Sequence, residues 1–273
     1  MECWLYPQGM QGGSESGLIL PSFRKPPVVE VAMSIGFAPM VGLNFAAMAD
    51  LRSRWIDSYP GAEEQPLLES PSTPQQSIKV EFGFGPPPRR LWLLSSGGDR
   101  VIQIQRDRLI ANWRAVPGSG EPYPRYGPLR DEFLQRWSDF EKFIVEHGLT
   151  QSLQPQYAEV TYVNVIKTDD DGKLDISAVL KMDRRGDLWR DDMATVAVNQ
   201  SWEVHDLQTF LTMAANVDSS SPDLPIVLQI SANTQTREGR GTAIALDLAH
   251  DFVVGTFGVV TTDEMQQRWE RTE

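Results

Sequence analysis

The residues best suited to chemistry in this chain lie between positions 91 and 126. Gln103 and Gln105 alternate along one stretch that ends at Arg106. Asn112, Trp113 and Arg114 follow on the next, and Tyr123, Arg125 and Tyr126 after that. From Arg89 to Arg136 there are nine arginines and no lysine, against five acids (Asp99, Asp107, Glu121, Asp131 and Glu132). That is a local balance of +4 in a chain whose total is −12. A guanidinium is a planar fork that matches a carboxylate or phosphate. Amide side chains add hydrogen-bond recognition, and Trp or Tyr can stack on a base or ring. A groove for a nucleotide or other anionic ligand, or a basic face for a protein partner, is chemically sensible here. The same residues also suit a structural role, pairing with acids across strands or pinning a loop to a sheet.

A second set is Glu159, Tyr162 and Asn164. On a strand, side chains alternate, so Glu159 faces away from the other two and the three cannot all line one pocket. A glutamate beside Arg106 or Arg114 would be a general base with an arginine electrophile, or half of an ion pair.

Other patterns carry less. Gly239-Arg240-Gly241 precedes a helix, where free N–H groups bind anions, but Ile244 stands where a dinucleotide fingerprint needs its third glycine. The run Asp169–Asp171 with Gly172 resembles a calcium loop only at a glance, because position twelve falls on Ala178 instead of glutamate. His250 lies among Leu246, Ala249 and Val253 and reads as a satisfied, partly buried histidine. No G-x-S-x-G elbow, Walker loop or HExxH occurs. With one cysteine, Cys3, and three scattered histidines, neither a disulfide nor a His/Cys zinc site is expected, and no cofactor is called for.

Composition bounds the rest. The 273 residues are 41% hydrophobic with eight Trp and eleven Phe, enough for a proper core in one large domain or two modest ones. The charge of −12 opposes broad binding to nucleic acid. The start has no basic n-region or apolar run, and no eighteen-residue apolar stretch is present, so a cytoplasmic protein without a membrane span is expected. Met10 is an alternative start to Met1.

The elements that must position these residues follow from periodicity. Residues 1–27, rich in Gly, Ser and Pro, read as a flexible arm. A strand at 28–37 carries Val29, Val31, Met33, Ile35 and Phe37 on one face. A helix capped by Asn44 runs to about 58, with Phe45, Met48, Ala49, Arg52, Trp55, Ile56 and Tyr59 on one side, Arg52 being the only polar break. Residues 60–76, with four prolines, read as a loop. Strands at 78–84, 91–94, 101–106 and 109–114 form an antiparallel meander, and a helix over 127–147 buries Leu129, Phe133, Trp137, Phe140 and Ile144. Beyond 150 come strands at 157–166, 194–204, 209–217 and 226–232, with a turn at 169–172 and a hairpin loop at 218–222; Leu207, Phe210, Leu211 and Ala214 also fit a helix, and the hairpin loop that follows decides for the strand. A helix spans 242–257. Thr261 and Glu264 suit a capping box for a last helix ending at Trp269.

The segments LWLLS, IQIQRDRLIANWR and YPRY, followed by an aromatic-rich helix, resemble a sporadically distributed bacterial family of unknown function. The resemblance extends to PPVVEV at 26–31, EVTYVN at 159–164 and LDLAHDFVVGTF at 246–257, and covers about residues 26–270. The arm lies outside it. Such a distribution is typical of mobile or defence-linked genes, including toxin–antitoxin systems, and fixes no chemistry.

The expectation is therefore an α+β fold of two similar halves, 28–150 and 151–273, each an antiparallel meander with long helices packed on one face. Two functions follow. One is an antitoxin-like binding or regulatory protein of a bacterial defence or toxin–antitoxin module, holding a protein or nucleotide-like partner through the arginine-bearing meander. The other is an enzyme on a phosphorylated or nucleic-acid substrate, with Arg106, Arg114 and Arg125 clamping the anion and Glu159 as base.

Overall fold

The computed structural model describes residues 20–68, 89–167, 176–181, 195–218, 225–237 and 239–272. The strand expected at 78–84, the turn at 169–172 and most of the loop at 218–222 lie outside them.

Every strand in the described residues joins one antiparallel sheet in the order β2-β3-β4-β5-β1-β6-β9-β8-β7. The first five are β1 (Val28–Phe37), β2 (Gly61–Pro66), β3 (Arg89–Leu94), β4 (Arg100–Gln105) and β5 (Arg108–Arg114). The rest are β6 (Pro155–Ile166), β7 (Thr195–Val204), β8 (Thr209–Asp218) and β9 (Ile226–Gln235). The helices are α1 (Phe45–Trp55), α2 (Tyr126–Glu146), the single turn α3 (Ile176–Val179), α4 (Thr242–Val260) and α5 (Asp263–Arg268). At the middle of the sheet β1 pairs with β6, Met33 opposite Val160, so a ladder crosses the expected boundary near 150.

Cross-strand partners point the same way, so the register sorts the sheet into two faces. One is apolar: Val31, Met33, Ile35 and Phe37 of β1 align with Leu109 and Trp113 of β5 and with Ala158, Val160 and Tyr162 of β6. Ile230 and Ala232 of β9 continue the row. Phe37 meets Trp137 and Phe140 of α2, and α4 packs on β6 and β9. The other face carries Gln103, Asn112, Ser34, Glu159 and Ser231. By length and composition α4 is apolar enough to cross a membrane, but here Leu246, Ala249, Phe252 and Val253 are buried on the sheet.

Several expectations change. Residues 61–66 form an edge strand, not part of a loop. Glu63 and Glu64 are exposed, so no apolar alternation announces β2, and its backbone pairing with β3 holds it. In α1 the buried stripe is Met48, Leu51 and Trp55, spaced three and four, while Phe45, Ala49 and Ile56 are exposed. The last helix is capped by Thr262, whose hydroxyl accepts from Met265 N. Thr261 is buried and donates to Phe257 O instead. Residues 20–27 are not an arm. Phe23 is buried edge-on against Phe257 and Trp269, and Arg24 N and Lys25 N donate to Glu270 O and Trp269 O.

Candidate functional site

The arginine-rich meander is largely satisfied from within. Arg90 Nη1 and Trp92 Nε1 both donate to Gln103 Oε1, at 2.6 and 3.1 Å. Gln103 Nε2 donates to Asn112 Oδ1 at 2.6 Å, and Asn112 Nδ2 to Glu30 Oε1 at 2.6 Å. This row of amides crosses β3, β4, β5 and β1, and Arg90, Gln103 and Asn112 are buried. Gln105 is closed off by the backbone of Leu68, accepting from its N–H at 2.9 Å and donating to its carbonyl at 3.0 Å. Arg114 Nε, at the end of β5, donates to Gly98 O at 2.7 Å and pins the β3–β4 hairpin turn. Trp113 faces the opposite way and is buried under Tyr123. Arg106 is exposed and forms no ion pair among the described residues. Gln103, Gln105 and Asn112 thus spend their amides within the protein, which leaves them little to offer a ligand, and Arg114 is anchored through Nε.

Glu159 is half-buried on the polar face. Its partner is Ser231, whose hydroxyl donates at 2.9 Å and also bonds Thr161. The nearby guanidinium is that of Arg108, held by Asp107, not Arg106 or Arg114. Burial raises the Glu159 pKa, and Ser231 and Arg108 only partly oppose it. Tyr157 lies over Gly36, in the space a Cβ there would need. Ser34 Oγ, directly across from Glu159, is buried without a hydrogen-bond partner among the described residues.

The residues that do converge lie on the other face. A cleft of about 300 Å³ opens between α4, the segment 20–28 and the turn leading into α2. Its walls are Pro21, Phe23, Pro26, Val28, Ile230, Val253, Val254 and Phe257. Its polar residues are Ser22, Tyr123, Arg125, Tyr126, Tyr162, Asn164 and His250.

Each polar group is set by its neighbours. Pro122 and Pro124 fix φ on both sides of Tyr123, whose ring rests 5.1 Å from that of Trp113. The Tyr123 and Tyr162 hydroxyls are 2.8 Å apart. Burial pushes the Tyr123 pKa up to about 12 and that of Tyr162 well above the usual range, so both stay neutral hydroxyls at physiological pH. Tyr126 stacks on His250 with centroids 3.8 Å apart and planes 14° apart. Its hydroxyl donates to Asp247 Oδ1, which Arg130 also binds at 2.6 Å. Asn164 Nδ2 donates to Leu228 O. Arg125, before the first turn of α2, has φ 73° and ψ 164°, a region almost confined to glycine.

No protein-family model matches this chain, and no curated protein matches it.

Five of the residues singled out from sequence, Tyr123, Arg125, Tyr126, Tyr162 and Asn164, therefore meet in one cleft. Glu159 lies on the opposite face of the sheet, as alternation requires. Sequence reasoning missed His250 as a lining residue, along with Phe23 and the valines of α4. One signal was available: His250, Val253, Val254 and Phe257 follow the 3,4,7 spacing of a single helix face. Among the described residues no group of three His, Cys, Asp or Glu is placed to hold a metal ion.

Proposed function

We propose that this protein is a binding protein and that its site is the tyrosine-lined cleft beside α4, not the arginine-rich meander. One contrast carries the reading. The meander's amides bond one another in a buried row, and most of its arginines are held by nearby acids, an amide or a carbonyl, whereas the cleft gathers its polar side chains around a concave apolar surface. Concave, mainly apolar walls with a few convergent polar groups are the usual form of a small-molecule site, and about 300 Å³ is at the small end of their range. The enzyme alternative draws no support from the geometry, since Glu159 and Arg125 lie on opposite faces of the sheet and Arg106 and Arg114 are not beside either.

We also read the chain as two halves of one plan. β1 and β6 each lead into a meander whose last strand returns beside them, β5 beside β1 and β9 beside β6, and α2 and α4 follow as equivalent helices over the same face. On this reading the cleft lies at the junction of the halves, where α4 meets the entry to α2.

The test uses 1-anilinonaphthalene-8-sulfonate as probe on the full-length protein. The expected result is saturable one-to-one binding, weakened at least tenfold by Val254→Trp, which fills the cleft, with circular dichroism unchanged. Equal binding by both proteins would place the site elsewhere.

A further inference from the structure

Of the residues lining the cleft, one bears a full charge: Arg125, with no Asp or Glu beside it in the wall. Its guanidinium donates to Phe23 O at 2.9 Å and Arg24 O at 3.4 Å, both neutral acceptors, and it forms no ion pair among the described residues. Residue 125 is exposed, and its guanidinium spends one hydrogen bond each from Nη1 and Nη2, so donors remain to pair with an anion that enters the cleft. The neighbouring Asp247 is already bound by Arg130 through two hydrogen bonds of 2.6 and 2.7 Å.

The tyrosine pair adds a second anion-favouring group. In a contact between two hydroxyls one O–H donates to the other, and the second hydrogen is left over. No other partner takes it among the described residues, so the pair can offer one donor to an oxygen entering the cleft. The Arg125 charge acts on both hydroxyls, Cζ lying 5.7 Å from the Tyr123 ring centre. Away from these groups the wall is Ile230, Val253, Val254 and Phe257, with no charge.

We infer that the cleft takes a small amphipathic carboxylate, its head held by Arg125 and the Tyr123–Tyr162 pair and its apolar body laid against α4. This rests on the reading of the cleft as a ligand site. A single cation matches a monoanion, whereas a phosphate dianion or a nucleotide would bring more negative charge than the wall can meet.

The test compares octanoate, 1-octanol and octylamine by calorimetry on the full-length protein, with Val254→Trp, Arg125→Gly and Tyr123→Phe. Glycine suits the backbone angles of residue 125, so that variant removes the charge without new strain. The expected result is octanoate at least tenfold tighter than octanol and octylamine weakest. Arg125→Gly then lowers octanoate affinity at least tenfold, and Val254→Trp weakens octanoate and octanol alike. If Arg125→Gly does not fold, Tyr123→Phe carries the comparison, with a several-fold loss of preference for octanoate. Octanol binding as well as octanoate, with both lost in Val254→Trp, would overturn the carboxylate inference and leave the cleft as a site. No binding of any of the three, or binding indifferent to Val254→Trp, would overturn both.

Discussion

Gln103 Nε2 donates to Asn112 Oδ1 over 2.6 Å between β4 and β5, and Asn112 passes the chain on to Glu30 across β1. Arg90 and Trp92 close the other end on Gln103 Oε1. Inside a protein, each member of such a row is costly to leave unpaired. Asn112→Leu orphans Gln103 Nε2 and Glu30 Oε1 and should destabilise the fold by about 1–3 kcal/mol. Chemical denaturation measures this. Binding at the cleft should be unaltered in the folded variant, because Asn112 lies on the opposite face.

Arg114→Ala removes the bond to Gly98 O that braces the hairpin turn. The expected loss is about 1 kcal/mol, with anilinonaphthalene sulfonate binding retained. A variant that is fully stable but no longer binds the probe would return Arg114 to the ligand site.

Phe23 is buried between Phe257 and Trp269. Phe23→Ala should cost about 3 kcal/mol, the scale of a buried aromatic truncated to alanine. Truncation of residues 1–25 removes the same ring and the backbone bonds to Trp269 and Glu270, so it too should lower the melting temperature clearly. An unchanged melting temperature would mean that Phe23 adds nothing to the core.

Glu159 has a folded pKa above its ordinary value near 4.5, with burial as the main cause. The folded state therefore holds the proton more tightly than the unfolded state. Stability of the natural protein should fall as pH rises from about 4.5 through the folded pKa. Glu159→Gln removes that dependence. Its stability relative to the natural protein should increase with pH across this window and level off above it, as followed by urea denaturation at several pH values. A difference that stays constant with pH would show that Glu159 titrates normally.

Tyr157 lies over Gly36 where a Cβ would collide with its ring. Gly36→Ala should cost about 1–3 kcal/mol through overpacking. Adding Tyr157→Ala should recover part of that loss, so the double-mutant cycle shows coupling. Simple additivity of the two changes would mean that the ring moves aside freely.

What could be read without the fold was whatever is written locally. Alternation gave β1 its bounds and, from Val31 to Phe37, its inward face, because side chains on a strand alternate and one face is buried; a register shift before Glu30 buries Val28 in place of Val29. The stripe from Leu129 to Ile144 placed α2, and Asn44 capped α1 as read, accepting from Ala47 N. β8 was read as a strand against a competing helical pattern, and its pairing with β9 agrees. β2 escaped because an exposed edge strand needs no apolar pattern, only a neighbour's backbone.

The candidate site divides in the same way. The residue types were legible: tyrosines and an arginine in the turn before α2, and a strand whose Tyr162 and Asn164 share a face. Which of them would meet was not, since Tyr123 reaches Tyr162 across 39 residues and Arg125 reaches Phe23 across 102. Local sequence fixes backbone preference and which face of an element is apolar, because those depend on a residue and its near neighbours. The decision that Gln103 feeds Asn112 while Tyr123, Tyr162 and Arg125 surround a cleft came from strand order and helix docking, because hydrogen bonds between elements form only once packing has brought them within 3 Å.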